Sequence, residues 1–215
     1  MRNRRLVPLL AAASIAVVGA AGCGSTSAAV QVGDETMSRG QFESSLDFVY
    51  ENETWRTWLF NQPVPAESLR PEDAAPGAFS QQYVGAVASA HVQFLMAEQL
   101  VGDLDLTVSQ DDRDAAEEQL AGEIDGGWDA VPEDLQGVYR DGWAAITVVQ
   151  SDADRDTVQA AAQRIADEKV SVNSRYGSWD PDGFTVDPPT APRPAPGGGT
   201  GSTGLPADGT DLPAG

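Results

Sequence analysis

Residues 78–101 read AFSQQYVGAVASAHVQFLMAEQLV, and their spacing predicts one long helix. Phe79, Tyr83, Val87, Ala90, Phe94 and Val101, flanked by Val84, Leu95 and Leu100, keep a helical period along the stretch. Gly102-Asp103 closes it. Downstream, Ser109 stands as an N-cap before Asp111 and Asp112, whose charges suit the positive end of a helix dipole. Ala115, Ala116, Leu120 and Ile124 mark that helix's buried side as far as Gly126-Gly127. Pro132, followed by Glu133 and Asp134, opens the next, with Leu135, Val138, Tyr139, Trp143, Ile146 and Val149 on one face. Residues 152–167 continue the pattern through Val158, Ala161, Ala162 and Ile165.

The flanks of this helical body read as extended chain. Residues 29–34 alternate apolar and polar side chains and end in the turn pair Gly33-Asp34. Ser38 stands three residues before Gln41 in capping-box spacing, so a helix begins there, with Phe42, Leu46, Val49 and Tyr50 on its apolar face. Residues 52–62 carry Trp55, Trp58, Leu59 and Phe60 out of phase with that face and form a short element or an aromatic-rich loop; residues 69–76 read as a connection. Val170 and Val172 alternate again. Asp180-Pro181-Asp182-Gly183 is turn chemistry before Phe184 and Val186. The opening strand has no partner near it in sequence, so the late extended segments should pair with it. The expected fold is mainly α, orthogonally packed helices with a small β element formed by N- and C-terminal extended segments.

Composition narrows the function. The chain has 215 residues, 41% of them apolar, enough for one domain with a core. Its charge is −20, and loss of Arg2, Arg4 and Arg5 with a leader takes it to −23, a balance opposed to binding the phosphate backbone of nucleic acid. A single cysteine forms no internal disulfide, and a single histidine cannot complete a zinc ligand set. No G-x-S-x-G elbow surrounds a serine and no EF-hand loop is present. Neither cofactor nor metal is expected, and an enzyme would rest only on unassigned carboxylates.

Residues 1–22 have a basic start, an apolar run from Leu6 to Val18 too short to span a bilayer comfortably, and a small-residue end before Cys23. This resembles the signal peptide and lipobox of bacterial lipoproteins, with Ala20 where Leu is usual. The resemblance implies diacylation of Cys23, membrane attachment through its acyl chains and an extracytoplasmic location; an incidental cysteine after an ordinary signal is the alternative. Residues 23–28 read as a lipidated tether and 29–186 as the folded domain. The Pro/Gly-rich residues 187–215 have almost nothing to bury and are expected to be disordered.

Val30-Gln31-Val32-Gly33-Asp34-Glu35, followed by Met37-Ser38-Arg39-Gly40-Gln41-Phe42, resembles the start of the N-terminal domain of SurA-like and PrsA-like extracytoplasmic chaperones. Leu106-Thr107-Val108-Ser109 after the long helix is similar to that family's next element. Val172-Asn173-Ser174-Arg175-Tyr176-Gly177-Ser178-Trp179-Asp180 resembles the V-N-P-R-Y-G-x-W-D ending of actinobacterial lipoproteins with a SurA-type domain. The resemblance implies a passive holdase for unfolded or secreted proteins. No window has the length or strand density of a parvulin domain, so prolyl isomerase activity is not expected. An envelope adaptor docking one defined protein is the competing reading.

Candidate client-binding residues are Trp55, Trp58 and Phe60, weighed against a satellite core, which is the more frequent fate of tryptophan. His91, beside Val87, Ala90, Phe94 and Leu95, reads as a core or boundary residue. Trp128, Trp143, Tyr176 and Trp179 read as packing residues, Arg175 as a surface ion-pair partner, and the acidic runs as solvated helix faces.

Overall fold

A computed structural model describes residues 28–60, 62–70 and 78–188. The leader with Cys23, the tether up to residue 27 and the tail from residue 189 lie outside the described residues, as does most of the connection at 69–76. The described chain is mainly helical with a few short antiparallel strands. In order, β1 (Ala28–Val32) and β2 (Glu35–Ser38) precede α1 (Arg39–Glu51), α2 (Glu53–Phe60) and α3 (Gln81–Asp103). Then follow α4 (Gln110–Glu123), α5 (Glu133–Asp152), α6 (Arg155–Glu168), β3 (Val170–Val172), β4 (Ser178–Asp180) and β5 (Thr185–Asp187).

The long helix is the axle of the fold. Ser80 caps it, accepting from the Tyr83 N–H at 3.3 Å, so Phe79 sits just ahead of the helix and packs on Tyr83 at 5.1 Å between ring centroids. Buried residues surround α3, and it packs against α1, α2, α5, α6, β1, β2 and β5, leaving α4 to pack on α5. Backbones approach closely at Gly142, where a Cβ would lie 2.7 Å from the Phe94 Cβ. On the opposite side β5 crosses at Gly85, whose added Cβ would lie 3.0 Å from the Val186 carbonyl, while the Val186 N–H donates to Ser89 Oγ at 2.8 Å.

The ends of the domain do meet: β1 pairs antiparallel with β3, with Val30 opposite Val172 and Val32 opposite Val170. The expectation that β1 lacks a near partner is corrected, because β2 returns beside it through a two-residue turn and gives the order β2-β1-β3. Gly33 makes that turn at φ 58°, and a Cβ there would also strike the Gln99 side chain. The remaining late segments do not join this sheet. They form a separate hairpin, β4 with β5, across residues 181–184.

The Asn173–Trp179 stretch works as a clasp. Asn173 donates its N–H to the Ala29 carbonyl at 2.9 Å and its Nδ2 to the Ala28 carbonyl at 3.3 Å. Tyr176 is fully buried against Phe42 at 4.3 Å and donates its hydroxyl to Glu43 at 3.1 Å. Trp179 Nε1 donates to the Ala166 carbonyl at 2.8 Å. Among the described residues Arg175 forms none of the ion pairs expected of it: it is half-buried in the turn held by Asn173, and its Nε has no partner there.

Local signals set most helix ends. Ser38 and Gln41 form the reciprocal capping box, and Ser109 forms one with Asp112. Two boundaries and one buried-face assignment differ from expectation. The fourth helix stops at Glu123 because Ile124 turns extended and buries its side chain; Ala115 faces solvent. The long run to Asp167 is broken at Ala153, after which Asp154 caps α6 by accepting from Asp156 and Thr157 N–H groups.

Candidate functional site

The aromatic segment is a helix because Asn52 and Asp125 nucleate it from outside. Asn52 Oδ1 accepts from the Trp55 N–H at 2.9 Å. Asp125 accepts from the Thr54 N–H at 3.1 Å and its hydroxyl at 2.6 Å, pinning the start of α2 to the end of α4. These bonds, the Thr54 hydroxyl's foremost, hold the Asp125 carboxyl below the usual carboxylate range. Buried Arg56 secures the other side, donating Nε to the Val64 carbonyl at 3.3 Å and a terminal nitrogen to the Tyr50 carbonyl.

With α2 so fixed, its three candidate aromatics separate. Trp55 is 3% exposed and stacks beneath Trp58 at 4.9 Å, so it belongs to the core and presents no contact surface. Phe60 is half-buried against Tyr83 at 6.2 Å. Trp58 is 41% exposed, the one large apolar side chain left open among the described residues. Trp143 meets its ring edge-on at 5.7 Å and Phe94 lies parallel at 6.4 Å, so the indole is held in place while one side stays open.

Trp58 stands on a ridge between two concave surfaces. On one side Glu53, Thr54, Thr57, Gln62, Pro63, Glu123 and Asp125 join it around an open cleft of about 690 Å³. On the other, Leu59, Ala86, Ser89, Ala90, Gln93 and Thr185 join it around a groove of about 530 Å³ floored by α3. The first side is acidic; the second is uncharged, with Leu59, Ala86 and Ala90 interspersed with Ser89, Gln93 and Thr185.

A second polar cluster is sealed inside. Ser45 Oγ lies 2.7 Å from His91 Nε2 and 2.9 Å from the Tyr139 hydroxyl, joining α1, α3 and α5. The serine–histidine spacing matches a nucleophile and its base, yet Ser45, His91 and Tyr139 are at most 2% exposed, so no substrate reaches them. Burial lowers the His91 pKa from 6.5 to about 3, keeping the ring neutral, and raises that of the Tyr139 phenol. The cluster therefore fixes the register of three helices, in accord with the core reading of His91. A serine on the Phe42–Leu46–Val49 stripe was the available signal for Ser45.

Glu98 could not be singled out in advance. It lines a cleft of about 330 Å³ with Val101, Leu106, Arg113 and Asp141, and desolvation, aided by Glu35 and Asp141, raises its pKa to about 7. Among the described residues no three His, Cys, Asp or Glu side chains cluster as metal ligands, and no helix is long and apolar enough to cross a membrane. Comparison with family models, with curated proteins and with solved structures finds no match.

Proposed function

We propose that this chain is a lipid-anchored, extracytoplasmic holdase of the SurA N-terminal-domain type, attached through diacylated Cys23 and retaining unfolded or secreted proteins without covalent chemistry. The observation that carries the reading is Trp58, 41% exposed on a ridge between two clefts, while the other large apolar side chains among the described residues are buried or half-buried. The β1–β3 pairing beside a capped first helix, and the Asn173–Trp179 clasp, support the SurA-like arrangement.

The mechanism is weak burial. An indole of Trp58's exposure offers about 100 Å² to a client, which at ~25 cal/mol per Å² contributes at most about 2.5 kcal/mol. Contacts of that size exchange quickly, so clients are delayed rather than trapped. The surrounding negative charge keeps the loaded complex soluble.

Light scattering of several unrelated unfolded proteins, mixed with stoichiometric full-length chain, tests this. Wild type should delay aggregation, and Trp58→Ser should shorten the delay severalfold with its circular dichroism unchanged. No delay by wild type, or equal delay by the variant, refutes the reading. Capture of a single stoichiometric envelope protein instead would establish the adaptor.

A further inference from the structure

We propose that the groove beside Trp58 is the docking site for this chain's own segment 189–196, Pro-Thr-Ala-Pro-Arg-Pro-Ala-Pro. As a docking contact this rests on the geometry of that face. As regulation, the segment competing with clients for Trp58, it rests on the holdase reading.

Position comes first. Thr185 of β5 lines the groove, the Val186 N–H is tied to Ser89 Oγ at 2.8 Å, and the Pro188 Cα lies 3.4 Å from where a Gly85 Cβ would stand. Gly85 precedes Ala86, which floors the groove. The chain therefore leaves the described structure at the groove's border, beside α3 and facing α2 across it.

Chemistry comes second. A segment with proline at 189, 192, 194 and 196 favours the polyproline II form, which has no internal hydrogen bonds and docks on aromatic-lined grooves. Its threefold repeat places Pro189 and Pro192 on one ridge. The groove offers the matching parts: Trp58 as a wall, Ala86 and Ala90 as a floor low enough for a proline ring, and the exposed Gln93 as an amide donor to free carbonyls.

Charge and reach come third. Arg193 is the sole cation in residues 189–215, and beyond Trp58 the acidic cleft carries Glu53, Glu123 and Asp125. Packed neighbours of a helix lie about 8–10 Å from its axis. Five residues from Pro188 to Arg193 at ~3.1 Å each extend about 15 Å, enough to cross α3 and set the guanidinium over the indole beside those carboxylates. A tether this short gives an effective concentration on the order of 1 mM, so even a contact of ~0.1 mM affinity stays about nine-tenths occupied.

The test uses the full chain in detergent and follows its five indole N–H resonances, the Trp58 signal being identified by Trp58→Phe. The triple variant Pro192→Gly, Arg193→Glu, Pro194→Gly lies outside the described domain and leaves its packing intact. The expected result is a Trp58 signal displaced in the variant, returned toward the wild-type position by millimolar synthetic 189–196 peptide, and unchanged on tenfold dilution of wild type. An identical Trp58 signal in wild type and variant overturns the proposal. A wild-type signal that moves on dilution overturns it in favour of the tail of a second copy. A displaced signal in a protein that fails to delay client aggregation supports docking and refutes only the holdase. If both hold, the variant should delay aggregation at severalfold lower concentration than wild type.

Discussion

The buried histidine makes acid stability the sharpest quantity to measure. Below pH 6.5 the unfolded chain protonates His91, whereas the folded chain, with its pKa lowered to about 3, does not. Folding stability therefore falls with decreasing pH by about 1.4 kcal/mol per unit from 6.5 down to about 3. Glu98 acts in the opposite sense two turns along the same helix. Its folded pKa is raised from 4.5 to about 7, so its contribution is fully present below 4.5 and is lost as pH rises through 7. Between 6.5 and 4.5 the two slopes nearly cancel; below 4.5 the histidine slope is no longer opposed by Glu98, and at lower pH still Asp125, whose carboxyl is held below its usual range, adds a loss of the same sign.

His91→Gln keeps a polar group for Ser45 and removes the titration. Urea unfolding of wild type and His91→Gln at pH 7.5, 6, 5 and 4.5 should show their stability difference shifting by about 2–3 kcal/mol in the variant's favour across the series. Glu98→Gln should do the reverse, stabilising the chain at pH 7.5 and making its acid loss begin at 6.5. Parallel profiles for wild type and His91→Gln, within about 0.5 kcal/mol at every pH, would falsify the assignment of a neutral, sealed imidazole.

Three further outcomes are expected. Gly142→Ala forces a methyl group against Phe94 and should cost about 1–3 kcal/mol in calorimetric unfolding; an unchanged melting temperature contradicts the close α3–α5 approach. Trp55→Ala should destabilise by about 3–5 kcal/mol in urea titration, well above the loss for Trp58→Ser; equal losses would show that the two indoles do not differ in burial. Cys23→Ser should move the chain from the membrane fraction to the soluble one or leave its precursor unprocessed, and unaltered lipid incorporation would remove the anchor from the proposal.

How much of this was legible depended on how local the signal is. Ser38-x-x-Gln41 and Ser109 identify their helix starts within four residues, and the period of residues 83–101 identifies the buried axle. The β1–β3 pairing is legible from alternation at both ends of the domain and the scarcity of extended segments, although the premise that β1 lacks a near partner does not hold. β2 is hard to recognise because Glu35-Thr36-Met37-Ser38 is short and mostly polar, and its marker, Gly33-Asp34, suits the end of a strand as well as a hairpin turn. Within the site, Trp55 and Trp58 are indistinguishable by residue type. What separates them is the direction imposed on α2 by Asp125, a contact 71 positions away that no local window contains. Glu98 is hidden for the same reason, since its environment comes from β2, α4 and α5.

The clasp across β1 has a consequence for synthesis. Asn173 and Ala28 are 145 positions apart, and chains are made N-terminus first. One margin of the opening hairpin therefore stays unpaired until almost the whole domain has emerged, the situation in which bare ribbon edges recruit strangers. A nascent chain interrupted anywhere before residue 170 carries that sticky margin permanently, so premature termination should yield aggregates rather than a smaller folded body.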